Sequence, residues 1–235
     1  MKLLLINQAL LKLKDPAKAK VLSNFFKTGI GQYGEGDKFL GITVPEQRKL
    51  AKKYFNDLKL IDVKKILNNN YHEVRLTALL ILIEKYIKGD EQERSNIFNF
   101  YLANLKSINN WDLVDLTAPK IVGNYLLDKK RDILYILVKS KNLWERRIAI
   151  IATFEFIKNN QFADTLKLSE ILLQDNHDLI QKAVGWMLRE VGKRDLKVEL
   201  EFLDKYCQKM PRTMLRYAIE KFPEVKRQKY LKGEI

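Results

Sequence analysis

A chain of 235 residues with 46% hydrophobic and 31% charged side chains can bury a substantial core and is too apolar to be disordered. Its 43 Lys and Arg against 29 Asp and Glu leave a formal net charge of +14, which favours polyanionic partners, nucleic acid before anionic membrane; a Lys-biased genome would give the same excess with no such partner. One cysteine, Cys207, excludes an intramolecular disulfide, and two histidines without a Cys/His/carboxylate cluster at ligand spacing argue against a zinc site.

The N-terminal run MKLLLINQALLKLKD is broken by Asn7, Gln8 and Lys12 and lacks a small-residue cleavage site. It is expected as a first amphipathic helix rather than a signal peptide, with Leu3, Leu4, Ala9, Leu10, Leu11 and Leu13 on its apolar side. No segment reaches the length needed to span a bilayer, and a reducing cytosol is the expected home. Residues 27–48, KTGIGQYGEGDKFLGITVPEQR, hold five of the ten glycines and predict a loop over about residues 28–42. Thr43, Pro45 and Glu46 mark the start of the next helix. A P-loop is excluded, because no strand precedes the glycines and no Gly-Lys-Ser/Thr follows them.

Beyond the loop, apolar residues recur at three- and four-residue intervals without sustained alternation, which predicts an all-α fold. EVRLTALLILIEKY, WERRIAIIATFEF, LIQKAVGWMLREV and TMLRYAIEKF share one plan, a polar or basic residue followed by an apolar helix. Taking Arg75, Arg147, Lys182 and Arg216 as equivalent gives spacings of 72, 35 and 34 residues, and the midpoint of the long gap is Trp111. A period near 35 suits stacked helix pairs, so the chain is expected as a single domain over residues 1–235, a curved α-solenoid of HEAT-like repeats. The equivalent helices would line the concave face, making Arg75, Trp111, Arg147, Lys182 and Arg216 a cationic row with one aromatic. The competing reading is that these residues merely begin their helices and that register drift dissolves the row.

The stretch NNWDLVDLT, Asn109 to Thr117, sets Trp111 and Asp115 on one helical face a turn apart. An aromatic face attracts a cation, a carboxylate stabilises developing positive charge, and Arg147 one repeat later can grip a phosphate or hold the carboxylate. Together with Asp112, this suits a cationic substrate attached to a polyanion, such as an N-alkylated purine in DNA. The alternative is a helix cap with a surface ion pair. Among the remaining residues, Trp144 and Cys207 are expected in the core. Asp112 is expected to cap or solvate a helix start, and His72 and His177 to serve turns or caps. Arg146 and Lys182 are candidate phosphate contacts by position alone, and Arg189 a surface pairing residue.

SINNWDLVD, NLWERRIAI and QKAVGWMLRE, in that order and spacing, resemble the AlkD-like DNA alkylation repair family of HEAT-like repeat glycosylases, and GEGDKFLGITVPEQRKLAK resembles the N-terminal portion of many members. The resemblance runs from about residue 20 to about residue 220. It implies a solenoid holding double-stranded DNA on its concave face. It also implies hydrolysis of the N-glycosidic bond of positively charged N3- and N7-alkylpurines without base flipping. Residue by residue, Asp115 matches the catalytic carboxylate, Trp111 the aromatic beside the lesion's deoxyribose, Trp186 its partner, and Arg147 a DNA-backbone contact. Phe25 or Phe26 stands where the family prototype has a tyrosine, and the glycine-rich insertion is longer here. The resulting expectation is a monomeric, monofunctional glycosylase of the cytoplasm and nucleoid, with no metal, cofactor or membrane. Its catalytic residues are Asp115, Trp111 and Trp186, and its DNA contacts Arg147, Arg146, Lys182, Arg75 and Phe25. Two rivals are a non-catalytic relative that binds distorted or branched DNA, and a HEAT-type protein scaffold.

Overall fold

A computed structural model describes residues 2–234, and all their regular elements are helical, apart from an isolated bridge between Lys38 and Tyr71. The expectation of an all-α helical-repeat fold holds. Among the described residues, no helix is long and apolar enough to cross a membrane, and no His, Cys, Asp and Glu residues group as they would to hold a metal ion. The chain forms two compact units, one ending at Leu113 and the other beginning at Val114.

The first unit starts with α1 (Lys2–Lys12), which buries Ile6 and Leu10 but leaves Leu4, Leu5 and Leu11 exposed. Asp15 caps α2 (Pro16–Phe25) by accepting from the Lys18 amide, with Pro16 at the first helical position, where no amide bond is lost. The glycine-rich segment then runs without regular structure to α3 (Val44–Tyr54), where the Glu46 carboxylate accepts from the Thr43 amide and hydroxyl. After α4 (Leu60–Leu67) comes α5 (His72–Lys88), buried almost all round from Val74 to Ile83, as expected of a helix apolar on every face. It packs against α3, α4 and α6 (Glu91–Ala103) and forms the axis of this unit. Glu73 turns inward, and its carboxylate accepts from the Leu40, Gly41 and Ile42 amides, fastening the end of the glycine-rich segment to α5.

Helix α7 (Trp111–Ala118) runs across the boundary and continues into a π-helical turn at Pro119–Gly123. The second unit proceeds through α8 (Asp132–Leu137), α9 (Leu143–Lys158), α10 (Ala163–Ile171) and α11 (Asp178–Gly192). It ends with α12 (Leu196–Tyr206), α13 (Arg212–Ala218) and α14 (Glu224–Lys232). Helices α9, α11 and α13 begin at residues 143, 178 and 212, so the expected period is real here. Each packs on the next, α9 on α11 and α11 on α13. Asn142 caps α9 and His177 caps α11, the role expected of that histidine; burial pulls its pKa below the ordinary imidazole value, which suits a ring nitrogen accepting from the Leu179 amide. Trp144 and Cys207 are buried, as expected.

The α11–α13 crossing depends on Gly185. A Cβ there would stand 2.3 Å from the Met214 carbonyl oxygen and 2.5 Å from the Tyr217 Cβ, and neither is the flexible end of a side chain. Alanine's better helix propensity favours Gly185→Ala by only ~1 kcal/mol, whereas overpacking costs about 1–3 kcal/mol and more where backbone must move. The substitution is therefore expected to destabilise the protein. The check is a lowered urea midpoint at unchanged m-value, and an unchanged midpoint would show that the two helices separate freely.

Candidate active site

Counting along each helix places the functional register. Arg147, Lys182 and Arg216 are the fifth residues of α9, α11 and α13; the fifth residue of α7 is Asp115, not Trp111. The 72-residue gap is thus divided unequally, into 40 residues from Arg75 to Asp115 and 32 from Asp115 to Arg147. One position in the run of cations is a carboxylate.

The consequence is a side-chain pairing between repeats. Arg147 Nε donates to one Asp115 oxygen at 2.9 Å and Nη2 to the other at 2.7 Å, a fork-on-fork geometry. The third guanidinium nitrogen, Nη1, donates to the Leu179 carbonyl in the first turn of α11. Arg147 is only 5% exposed, while Asp115 is half-buried. Side chains from α7 and α9 and a backbone carbonyl of α11 therefore meet at one point, and the carboxylate is oriented by two bonds from a buried cation.

The other expected contacts have their own partners. Arg146 is held by Asp175 at 2.7 Å and by the Ser140 and Lys141 carbonyls. Lys182 pairs with Asp178 at 2.7 Å on the surface. The half-buried Trp186 donates its indole N–H to Glu190 and packs at 5.9 Å from Phe154. Arg189 pairs with Glu220. Arg75 requires a correction: it is 5% exposed and bonded to Asp37 at 2.7 Å and to the Asn69 carbonyl, so its charge is committed inside the first unit. With Arg75 and Arg147 both buried in ion pairs, the row is not a continuous track of surface cations.

The first unit contains a cluster for which the sequence reading had no place. Asp112, expected to cap or solvate the helix start, is buried and lies 2.8 Å from His72 Nε2; His72 Nδ1 lies 3.2 Å from Asp37. Asp37 also accepts from Arg75 and Asn110. Burial drives the His72 pKa down, but hydrogen bonds to Asp112 and Asp37 outweigh it and raise the value from 6.5 to about 9. Burial likewise pushes the Asp37 carboxyl up, and the His72 hydrogen bond and Arg75 charge bring it below the ordinary range. Around the imidazole are rings. Phe39 stacks on it at 4.8 Å, and Phe26 lies 4.9 Å from it and stacks on Trp111 at 5.1 Å. The 61% exposed Phe25 meets Trp111 edge-on at 5.9 Å, so the structure does bring these two expected residues together. The only local signal for this cluster was an acidic residue in a glycine-rich segment and a histidine opening a helix, and neither names its partner.

Fold and oriented carboxylate together define an all-α helical-repeat protein with a polar site set between its repeats. The model of the family described as DNA alkylation repair enzyme matches residues 6–222, and the chain belongs to that family. Among solved structures it is similar to a predicted DNA alkylation repair enzyme from Enterococcus faecalis, with a TM-score of 0.71 over 90% of this chain and 97% of that one; at 18% identity the likeness concerns the fold. No curated protein matches. Family membership assigns the chain a role in DNA alkylation repair, as an enzyme with DNA as its substrate.

Arg147→Lys tests the pairing. A lysine keeps the charge but cannot reproduce the fork, so hydrogen bonds to a carboxylate worth about 1.5–3 kcal/mol are lost. Arg147→Ala leaves the carboxylate without its counter-charge and is expected to cost about 3–5 kcal/mol. Urea unfolding of both variants, with alanine the worse, is the check; equal and negligible losses would show that the pair contributes nothing to the fold.

Proposed function

We propose that the protein is a monofunctional DNA glycosylase that hydrolyses the N-glycosidic bond of positively charged N3- and N7-alkylpurines in double-stranded DNA. The observation that carries this reading is Asp115, a half-buried carboxylate whose two oxygens are both held by Arg147, on the helix that opens with Trp111. The net charge of +14 supports a polyanionic substrate, and family membership supports alkylated DNA.

The chemistry suits such a substrate. When the C1′–N bond of a cationic purine breaks, its electron pair goes to the base, which leaves neutral and needs no general acid. The sugar is left as an oxocarbenium ion, and a carboxylate already oriented stabilises that charge without reorganising. Water adds through its oxygen to C1′, and its proton passes to Asp115 and then to solvent. Within the first unit Trp111 carries a π-face of the kind that attracts a positive charge, and Phe25 extends that aromatic surface. Lys182 is the candidate phosphate contact of this set, since an exposed ion pair is worth little and exchanges its partner readily. Arg147 acts first on Asp115.

Single-turnover release of 7-methylguanine from a methylated duplex tests the reading. Wild-type protein is expected to release base well above spontaneous depurination. Asp115→Asn, which still accepts from Arg147 through one oxygen, is expected to lose on the order of 10²–10³-fold in rate, the scale seen when one electrostatic stabiliser is removed. Tight, salt-sensitive binding by the wild type with no released base would instead favour a DNA-binding protein without glycosylase chemistry.

A further inference from the structure

The proposed hydrolysis uses neither His72 nor its two carboxylates, yet this is the most heavily bonded group of charges in the first unit. His72 is 2% exposed, and each ring nitrogen faces a carboxylate oxygen: Nδ1 faces Asp37 on the glycine-rich segment and Nε2 faces Asp112 on α7. A neutral imidazole carries one N–H and can donate to only one of them; the imidazolium donates to both. Arg75, on the same helix as His72, lies beyond Asp37 and is that carboxylate's second cation. Glu73 faces away, toward the amides of residues 40–42. The stacked rings of Phe26 and Phe39 also favour the charged form, since an aromatic face attracts a cation.

Three routes out of this cluster arrive at Trp111. Asp112 follows it in the chain and is bound by His72. Asn110 precedes it, donates to Asp37, and accepts from the Trp111 amide at 2.8 Å. Phe26, which lies beside the imidazole, stacks on the indole with an interplanar angle of 17°. The backbone on both sides of Trp111 and one face of its ring are thus tied to one imidazole.

We propose that His72, as an imidazolium clamped between Asp37 and Asp112, is a positioning residue that fixes the Trp111 ring and the first turn of α7. Its consequence for catalysis rests on the glycosylase reading; its consequence for Trp111 does not. Deprotonation removes one of the two donated bonds, sets a lone pair against a carboxylate, and loosens one side of the clamp.

The experiment uses the full-length, DNA-free protein labelled with nitrogen-15. The three tryptophan indole resonances are followed from about pH 6 to about pH 10, with Trp111→Phe assigning its own signal. The Trp111 indole is expected to shift with a midpoint near the His72 value of about 9, together with the imidazole nitrogens, while the Trp144 and Trp186 signals stay in place. In His72→Gln the Trp111 signal is expected to be displaced at neutral pH and flat with pH. A Trp111 resonance that is flat in the wild type, or unchanged by His72→Gln, would overturn the proposal. Should His72→Gln not fold, the wild-type titration decides alone, and Asp112→Asn supplies the milder perturbation. On methylated duplex, Asp112→Asn is expected to lower single-turnover release about tenfold at unchanged DNA affinity. If the wild type releases no base, the glycosylase reading fails, and the indole titration still decides the positioning role.

Discussion

In the proposed hydrolysis, a carboxylate that is to meet a short-lived cation must be held still before the cation forms, and the two bonds from Arg147 hold Asp115 in that way. A flexible carboxylate would lose rotamer entropy as the reaction proceeds; here that loss is incurred when the protein folds. The repeat architecture makes the pairing possible. Asp115 and Arg147 are the fifth residues of α7 and α9, so stacking the repeats brings a negative and a positive side chain together. The third bond, from Arg147 to the Leu179 carbonyl, ties the same guanidinium to the next repeat. One arginine therefore orients the acid and helps to set the spacing of three helices.

The first unit uses a more deeply buried form of the same device. Two carboxylates, Asp37 and Asp112, face two cations, His72 and Arg75, so the group is formally neutral although each member is nearly removed from water. A lone ion in this position would be costly to bury, and removing any one member would leave its partners uncompensated. The cluster also gives the glycine-rich segment a physical purpose. Its far end is pinned through Asp37 and through the three amides on Glu73, and it passes so near α2 that a Cβ on Gly41 would lie 2.1 Å from the Asp15 carbonyl oxygen. Gly41 also has a φ of +85°, which L side chains rarely adopt. The segment is flexible in composition and fixed in place.

What could be read from the sequence was whatever depends on near neighbours. The helix start at Thr43, the burial of Trp144 and Cys207, and the period of α9, α11 and α13 all follow from residue types and spacings along the chain. The side-chain set around Trp111 and Asp115 could be picked out because it lies on one helix and in one motif. The pairings could not. Asp37 meets His72 and Arg75 from 35 and 38 residues away, and His72 meets Asp112 from 40, across connections whose lengths set the register. The same limit put Trp111 in the row in place of Asp115, since an equal division of the gap treats intervals of 40 and 32 residues as alike. Composition had the corresponding weakness, because it counts Arg75 and Arg147 as surface charge when both face inward.

That last point divides the cations by task. Affinity for a polyanion comes from side chains whose counterions are released on contact, which requires exposure. Geometry comes from cations whose partners are fixed, which requires burial. Arg75 and Arg147 belong to the second group; on the proposed reading Lys182, which pairs with Asp178 at the surface, belongs to the first. Their separation lets the two properties vary independently. Exposed lysines can change with little effect on the fold, because surface pairs contribute little, whereas a single buried arginine cannot be replaced even by lysine without disturbing the acid it holds. The count of 43 Lys and Arg therefore overstates the positive groups available to a phosphate backbone, because the inward-facing ones are already held by carboxylates.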